Sequence, residues 1–127
     1  VIFKTDIKNI SSKYSIISIC NGAYYGGGYN IAPKSQLTDG LLDIYYVEKM
    51  NRFKIIPLLL KLKKGQHEGK RRVHKFRTNH IELEIEVNIT FNVDGEKLVG
   101  SKFIIDILPK AITVYNDNEF IDKILKE

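Results

Sequence analysis

The chain has 127 residues, of which 43% are hydrophobic, and its 20 Lys and Arg against 15 Asp and Glu give a formal charge of +5. This length suits one domain with one core, so we treat residues 1–127 as a single domain. No apolar run approaches the ~20 residues of a membrane-spanning helix, and Cys20, the only cysteine, excludes an internal disulfide. The sequence therefore predicts a soluble domain of a reducing cytoplasm.

Most of the chain alternates apolar and polar residues with a period of two, which is typical of strands with one buried face. The first strands are predicted at Val1–Lys8, Ser15–Cys20 and Leu41–Glu48. One helix over about 51–64 follows, because Asn51 is a favourable N-cap residue and Gly65 a favourable stop. The apolar residues that recur at helical spacing within it are Phe53, Ile56, Leu59 and Leu60.

The longest strand pattern comes after the helix. Alternation is unbroken from His80 to Asp94, with Ile81 to Val93 predicted on one face, and because strands usually have about 5–6 residues we predict a bend or turn near Asn88. Asp94-Gly95 is a hairpin signal. The remaining predicted strands are Lys97–Val99, Lys102–Leu108 and Ala111–Tyr115. The sequence is also compatible with a short C-terminal helix that is capped by Asn116 or Asp117 and uses Phe120, Ile121, Ile124 and Leu125.

Many closely spaced strands with one intervening helix favour a mainly β fold, an antiparallel sandwich-like or barrel-like domain with one inserted α-helix. Positive charge is concentrated in the basic segment, Lys61–Arg77, whose only acid is Glu68. Such a segment suits the phosphates of nucleic acid or of anionic lipids, although a solvated helix end and loop is the commoner meaning of a charge run. Phe76 is its only aromatic residue, whereas single-strand binders interleave several, so we predict no nucleic-acid partner.

Three other segments contain residues that could carry chemistry. The glycines Gly26–Gly28 allow positive φ and close backbone approach, but they form neither a Walker loop nor a dinucleotide fingerprint, and a structural turn is the commoner meaning. Asp39 either bonds neighbouring amides or ligates a hard cation together with carbonyls and waters. Glu96 either belongs to an ordinary hairpin or accepts a proton from a substrate hydroxyl.

The histidines and tyrosines add little to these candidates. His67, His74 and His80 share no face and have no cysteine partners, so we predict no zinc site and expect all three at the surface. Five tyrosines between Tyr24 and Tyr46 either line a groove or fill the rim of a core. Cys20 is interpreted as a small buried hydrophobe rather than a reactive thiol.

The order of the motifs is more specific than any one of them. Five motifs follow one another between about Ser15 and Tyr115. In order, they are Asn-Gly-Ala-Tyr-Tyr-Gly-Gly-Gly, Ile-Ala-Pro, Leu-Thr-Asp-Gly-Leu-Leu-Asp, a helix ending in Lys-Lys-Gly-Gln-His, and Asn-Val-Asp-Gly-Glu. This arrangement closely resembles the C-terminal part of the bacterial diacylglycerol kinase and related lipid kinase family, which belongs to the NAD-kinase-like fold group.

The resemblance implies a two-domain enzyme. An N-terminal α/β domain with a Gly-Gly-Asp-Gly-Thr motif would bind the nucleotide, and a C-terminal β-sandwich would help to form the substrate cleft. No Gly-Gly-Asp-Gly-Thr occurs in this chain, which begins with Val1 and has Met50 as its only methionine. We therefore expect the chain to be the C-terminal, substrate-side domain without its nucleotide-binding partner domain, and to be inactive by itself.

The resemblance also implies roles for individual residues. Glu96 matches the general base that takes the proton from the acceptor hydroxyl. Asp39 matches the side-chain ligand of a magnesium ion, with the carbonyls of Gln36 and Leu41 as companions. The implied reaction transfers the γ-phosphate of ATP to a lipid hydroxyl, with diacylglycerol as the first choice and a sphingoid base, phosphatidylglycerol or a monoacylglycerol as alternatives. A non-catalytic, basic β-rich binding module is the alternative from another class.

A lipid acceptor would place the protein at a membrane. We expect a cytoplasmic protein at the inner membrane face, with the basic segment in peripheral contact with anionic headgroups at about 1 kcal/mol per cation near the surface. The expected cofactor is Mg²⁺, with ATP as a co-substrate that is bound mainly by the missing domain. The expected partners are that domain and the lipid, and a homodimer is left open.

Overall fold

The computed structural model describes residues 1–5 and 9–113, which form two antiparallel sheets packed face to face and one helix. The first sheet has the order β2-β1-β6-β7, where β1 is Ile2–Lys4, β2 is Asn9–Ser11, β6 is His80–Val93 and β7 is Glu96–Asp106. The second sheet has the order β3-β4-β5, where β3 is Tyr14–Cys20, β4 is Leu42–Glu48 and β5 is Val73–Thr78. Helix α1 spans Arg52–Lys63. The predicted mainly β, sandwich-like class is confirmed.

The main core lies between the two sheets. Phe3 from β1 is fully buried, and its ring centroid lies 5.0 Å from that of Tyr14 and 5.5 Å from that of Tyr46 on the facing sheet. The other buried members of this core are Leu42, Ile44, Ile81 and Leu83. Ile81 and Leu83 lie two positions apart on β6, so the period of two correctly predicted that they face the core, and Leu42 and Ile44 have the same spacing on β4.

Helix α1 covers the outer face of the second sheet, so β4 is buried on both of its faces. Leu58 and Leu62, one helical turn apart, pack against Val47 of β4. The predicted helix is confirmed, because the side chain of Asn51 accepts a hydrogen bond from the amide of Phe53 at 3.2 Å and Gly65 ends the helix with a φ of +68°. The apolar residues whose spacing predicted the helix lie mostly on its solvent side.

The predicted bend near Asn88 is a β-bulge, and β6 continues through it without a turn. Glu84 pairs with Lys102 and Ile89 pairs with Gly100, so residues 85–88 oppose a single residue of β7. A bulge disrupts the alternation of side chains between the two faces of a strand. Val87 within the bulge and Val93 at the end of the strand are exposed. The other predicted inward positions are buried or half-buried, namely Ile81, Leu83, Ile85, Ile89 and Phe91.

Several predicted boundaries change. The strand predicted at Val1–Lys8 is observed only as β1, residues 6–8 lie outside the described residues, and β2 was not predicted. Part of the basic segment forms β5 rather than a loop, which corrects the interpretation as a solvated helix end. The strands predicted at Lys97–Val99 and Lys102–Leu108 are one continuous strand, β7.

The last predicted elements are only partly described. Ala111, Ile112 and Thr113 form no strand, and the rest of that predicted strand lies outside the described residues, as does the C-terminal helix. Within residues 1–5 and 9–113, no helix is long and apolar enough to cross a membrane.

Candidate functional site

The glycine-rich loop is a tight turn that projects two tyrosines. The amide of Tyr25 donates to the carbonyl of Tyr29 at 2.8 Å, and the amide of Tyr29 donates back at 3.0 Å. Gly27 and Gly28 between them have φ values of +67° and +78°, which side chains rarely adopt. Gly27 and Gly28 therefore have a structural role in this turn.

This loop contacts both the helix and the Asp39 segment. The hydroxyl of Ser35 donates to the carbonyl of Asn21 at 2.9 Å, which ties the residues before Asp39 to the start of the loop. At the other end, a Cβ at Gly65 would lie 2.9 Å from Nδ2 of the Asn30 side chain, so the end of α1 lies close against the loop.

The loop also contacts the hairpin that carries Glu96. The hydroxyl of Tyr25 donates to Oδ1 of Asn92, and the same oxygen accepts from the amide of Gly95 in the turn at 3.0 Å. Asp94 and Gly95 have φ values of 48° and 97°, as the predicted two-residue turn requires. Asn92 thus links the glycine-rich loop to the turn beside Glu96, whose own side chain is exposed.

An apolar groove of about 510 Å³ opens between β3 and the bulged part of β6. Its apolar lining includes Ile17, Ile19, Ile31, Ile85, Ile89 and Phe91. Tyr25 and Asn92 line one end of it. Asn92 of β6 pairs with Lys97 of β7, and the next pair toward the hairpin turn is Val93 with Glu96. The groove therefore ends next to the hairpin turn. Cys20 also lines it, and burial raises the pKa of this thiol to about 11, which agrees with its interpretation as a hydrophobe.

Asp39 is anchored by a cation and by a backbone amide. Its Oδ1 accepts from the amide of Leu41 at 3.0 Å, which is the local bond that the turn predicted. Its Oδ2 accepts from Nη2 of Arg77 on β5. Arg77 also places Nε 3.1 Å from Oδ1 of Asp43, a fully buried carboxylate. Asp39 is therefore one end of an ion-pair network on the helix side of the second sheet.

The network continues along β5 to a second acid. Nζ of Lys75 lies 3.2 Å from Oδ1 of Asp43 and 3.3 Å from Oε1 of Glu68. The hydroxyl of Tyr45 also donates to Glu68, and this hydrogen bond is the largest cause that lowers the pKa of Glu68 to about 2. Burial, followed by the same hydrogen bond, raises the pKa of Tyr45 to about 12. At neutral pH Glu68 is therefore ionised beside Lys75, and Tyr45 keeps its proton.

The donors around Asp39 do not fit a magnesium ion as they are arranged here. Magnesium prefers six oxygen ligands in octahedral geometry, whereas Asp39 is a single carboxylate with a guanidinium against one oxygen and an amide against the other. Within the described parts of the chain, no three His, Cys, Asp or Glu side chains form a metal-binding group. The assignment of Asp39, Gln36 and Leu41 as magnesium ligands stays a prediction that requires Arg77 to move aside.

Asp43 and Arg77 were not predicted as site residues, although the sequence contains a signal for them. Asp43 is the one charged residue inside the apolar run from Leu41 to Val47, and a charge in a buried strand needs a partner. The basic segment has strand alternation, which places Lys75 and Arg77 on one face opposite Tyr45 and Asp43. The pairing of the two strands, rather than either pattern alone, brings these charges together.

His67 was predicted at the surface, and that prediction is wrong. His67 lies in the loop after α1 and its side chain is fully buried, with its ring centroid 5.2 Å from that of Tyr45. Burial is the main cause that lowers the pKa of His67, so the ring is neutral at neutral pH.

The three predicted segments are thus partly brought together. The glycine-rich loop contacts both the Glu96 hairpin and the residues before Asp39. Within residues 1–5 and 9–113, no hydrogen bond or ion pair joins Asp39 to Glu96 directly.

Comparisons with known proteins agree with this architecture. The family model described as the YegS C-terminal NAD kinase beta sandwich-like domain matches residues 3–116. A "Probable lipid kinase YegS-like" of Shewanella frigidimarina is 32% identical over 108 residues, which are 85% of this chain and 35% of that protein. A "Probable lipid kinase YegS" of Escherichia coli O1:K1 is 34% identical over 97 residues, or 76% of this chain and 31% of that protein.

A solved structure has the same fold. The crystal structure of "a putative diacylglycerol kinase from Bacillus anthracis str. Sterne" superposes with a TM-score of 0.69 at 23% sequence identity, and the match covers 85% of this chain and 35% of that one. The chain spans about a third of the length of these relatives.

Proposed function

Because this chain belongs to the family of YegS C-terminal, NAD-kinase-like β-sandwich domains, we propose that it is the substrate-side domain of a lipid kinase. The reaction transfers the γ-phosphate of ATP to a lipid hydroxyl, with diacylglycerol as the first candidate acceptor. Nucleotide binding falls to residues outside this chain, which has no Gly-Gly-Asp-Gly-Thr. Magnesium would supply charge stabilisation on the phosphates.

The observation that best supports a lipid acceptor is the apolar groove that ends beside the Glu96 hairpin. Its volume of about 510 Å³ lies within the usual range for a small-molecule site of about 300–1,000 Å³. Its lining of branched aliphatic side chains and Phe91 suits an acyl chain, while Asn92 and Tyr25 at one end suit a polar headgroup. An acyl chain in the groove would bring the lipid hydroxyl toward Glu96.

Glu96 is proposed as the general base. A primary alcohol is a weak acid, so a carboxylate that accepts its proton during attack on the γ-phosphorus lowers the barrier. The side chain is exposed at the tip of a hairpin, where it can reach a bound substrate. The bond from Tyr25 to Asn92 restrains this hairpin against the glycine-rich loop. The proposed location is the cytoplasmic face of the inner membrane, where the acceptor lipid lies.

The test is γ-phosphate transfer from ATP to diacylglycerol in mixed micelles, with the full-length protein that carries this sequence. Glu96→Gln should reduce kcat by about 10²–10⁴-fold. Glu86→Gln, which also changes an exposed glutamate of the same hairpin, is the matched control and should keep its activity. A sphingoid base, a monoacylglycerol and phosphatidylglycerol are assayed in parallel to identify the acceptor.

Two outcomes would count against the proposal. If Glu96→Gln retained the activity of Glu86→Gln, Glu96 would not be the base. If the full-length protein were inactive on every lipid, family membership would stand and the lipid-kinase function would fall.

A further inference from the structure

The outer face of helix α1 exposes a strip of large apolar side chains. Phe53, Ile56 and Leu60 are 75%, 59% and 64% exposed, although Leu58 and Leu62 on the opposite face are buried. The spacing of three and four residues places all three exposed residues on one side of the helix. Because α1 has apolar residues on both sides and only one side packs against the second sheet, the outer side is a second apolar surface that a partner can cover.

The charges of α1 all have one sign. The helix contains Arg52, Lys54, Lys61 and Lys63 and no acidic residue. A groove of about 260 Å³ lies between the helix and the turn that precedes β5. Its apolar lining consists of the side chains of Met50, Pro57, Leu58 and Val73. The cationic residues that line this groove are Lys54, Lys61, Lys70, Arg71 and Arg72.

We propose that the outer face of α1 and this basic groove form a docking surface for an anionic lipid bilayer. The apolar strip enters the interface between headgroups and acyl chains, and the groove takes the phosphate of a headgroup. The helix is about 18 Å long at ~1.5 Å per residue, so it lies on the surface rather than across the bilayer. Apolar residues on one face with lysines beside them and no acids are typical of interfacial helices.

Other occupants fit this surface less well. Protein interfaces are depleted in lysine at their core, whereas Lys54 and Lys61 adjoin the apolar strip and line the groove. Single-stranded nucleic acid stacks its bases on several aromatic rings, and Phe53 is the only aromatic residue of α1. A bilayer satisfies both the apolar strip and the cations.

The surface is next to the candidate site. The amide of Asn30 in the glycine-rich loop donates to the carbonyl of Lys63 at 3.4 Å, and Nζ of Lys63 lies 5.9 Å from the ring centroid of Tyr29. Docking of α1 would therefore bring the loop and its exposed tyrosines close to the membrane. This docking surface rests on the proposed lipid-kinase function, because it is where the protein would meet the membrane that contains the acceptor lipid. Vesicle binding can be measured without any catalysis, so the two proposals can fail separately.

The experiment is co-sedimentation of the full-length protein with phosphatidylcholine vesicles that contain or lack phosphatidylglycerol. The triple variant Lys54→Gln, Lys61→Gln, Lys70→Gln should weaken binding about fivefold per cation removed, on the order of a hundredfold in all. The variant Phe53→Ser, Leu60→Ser should weaken it at least about tenfold, because the inserted apolar area is lost.

Matched controls change the same residue types elsewhere on the surface. Leu108→Ser with Ile112→Ser removes two exposed apolar side chains that are not part of α1. Lys13→Gln, Lys97→Gln, Lys110→Gln removes three exposed lysines outside α1 and the groove. Both control variants should bind vesicles like the wild type. Circular dichroism and the urea midpoint of each variant establish that it is folded.

Four results would overturn the inference. Binding that did not depend on phosphatidylglycerol, or that the α1 variants left unchanged, would remove the docking surface. Full competition by a labelled oligonucleotide or by inorganic phosphate would assign the groove to nucleic acid or to free phosphate. A lower urea midpoint for Phe53→Ser, Leu60→Ser with unchanged vesicle binding would show that protein covers this face. If the full-length wild type bound vesicles as expected but had no kinase activity in micelles, that result would instead count against the catalytic proposal.

Discussion

The substitution Asp43→Asn tests the ion-pair network that anchors Asp39. Asparagine keeps the shape of the side chain and removes its charge. Asp43 is fully buried, and its Oδ1 lies 3.1 Å from Nε of Arg77 and 3.2 Å from Nζ of Lys75. Both cations therefore lose their shared buried partner in this variant.

The structure sets the size of the expected effect. Removing one partner of a buried ion pair typically costs about 3–5 kcal/mol. The cost here is smaller because the side chains of Lys75 and Arg77 stay 28% and 37% exposed and keep Glu68 and Asp39 as partners. We expect Asp43→Asn to lower the free energy of unfolding by about 2–3 kcal/mol.

Urea denaturation followed by circular dichroism measures this change. The control is Glu84→Gln, which removes an exposed ion pair with Lys4 and should leave the midpoint nearly unchanged. A decrease of less than about 1 kcal/mol for Asp43→Asn, with an unchanged urea slope, would refute the reasoning. In that case the cost of burying the carboxylate would cancel its attraction to the two cations.

Two further outcomes follow from buried titratable groups. Burial lowers the pKa of His67 below its ordinary 6.5. As the pH falls below 6.5 the unfolded chain therefore takes up the proton first, and the free energy of unfolding should decrease. His67→Phe should remove this part of the pH dependence, which is measured by urea midpoints on both sides of pH 6.5. Glu68 contributes to stability too, but its contribution is lost only as the pH falls from its ordinary pKa of 4.5 toward about 2, so it does not overlap with that of His67. An unchanged pH dependence near 6.5 in His67→Phe would therefore contradict the assignment to His67. The pKa of Cys20 is raised to about 11, so a thiol reagent at neutral pH should label the native protein slowly and the urea-unfolded protein quickly. Equal labelling rates in the two states would contradict the burial of this thiol.

Local signals in the sequence were sufficient for most of the fold. The N-cap at Asn51, the turn at Asp94-Gly95 and the alternation at the start of β6 each depend on neighbouring residues, so they could be interpreted without a partner strand. The order of the motifs predicted the family, which the match over residues 3–116 confirms. The roles of Glu96 and Asp39 came from that resemblance alone and stay predictions.

Contacts between distant parts of the chain were decided only by the tertiary structure. The sequence alone determined the helix and most of the strands, although it missed β2 and β5. It also determined that the chain resembles a lipid kinase domain and that its positive charge is concentrated in the basic segment. It did not determine that Arg77 pairs with Asp39, 38 residues away, or that Tyr25 bonds Asn92, 67 residues away. It also did not determine that the apolar strip of α1 lies outside, because Leu58 and Leu62 are equally apolar and only their packing against Val47 shows which face is buried. Such choices depend on which strands pair and in what register, and no local pattern contains that information.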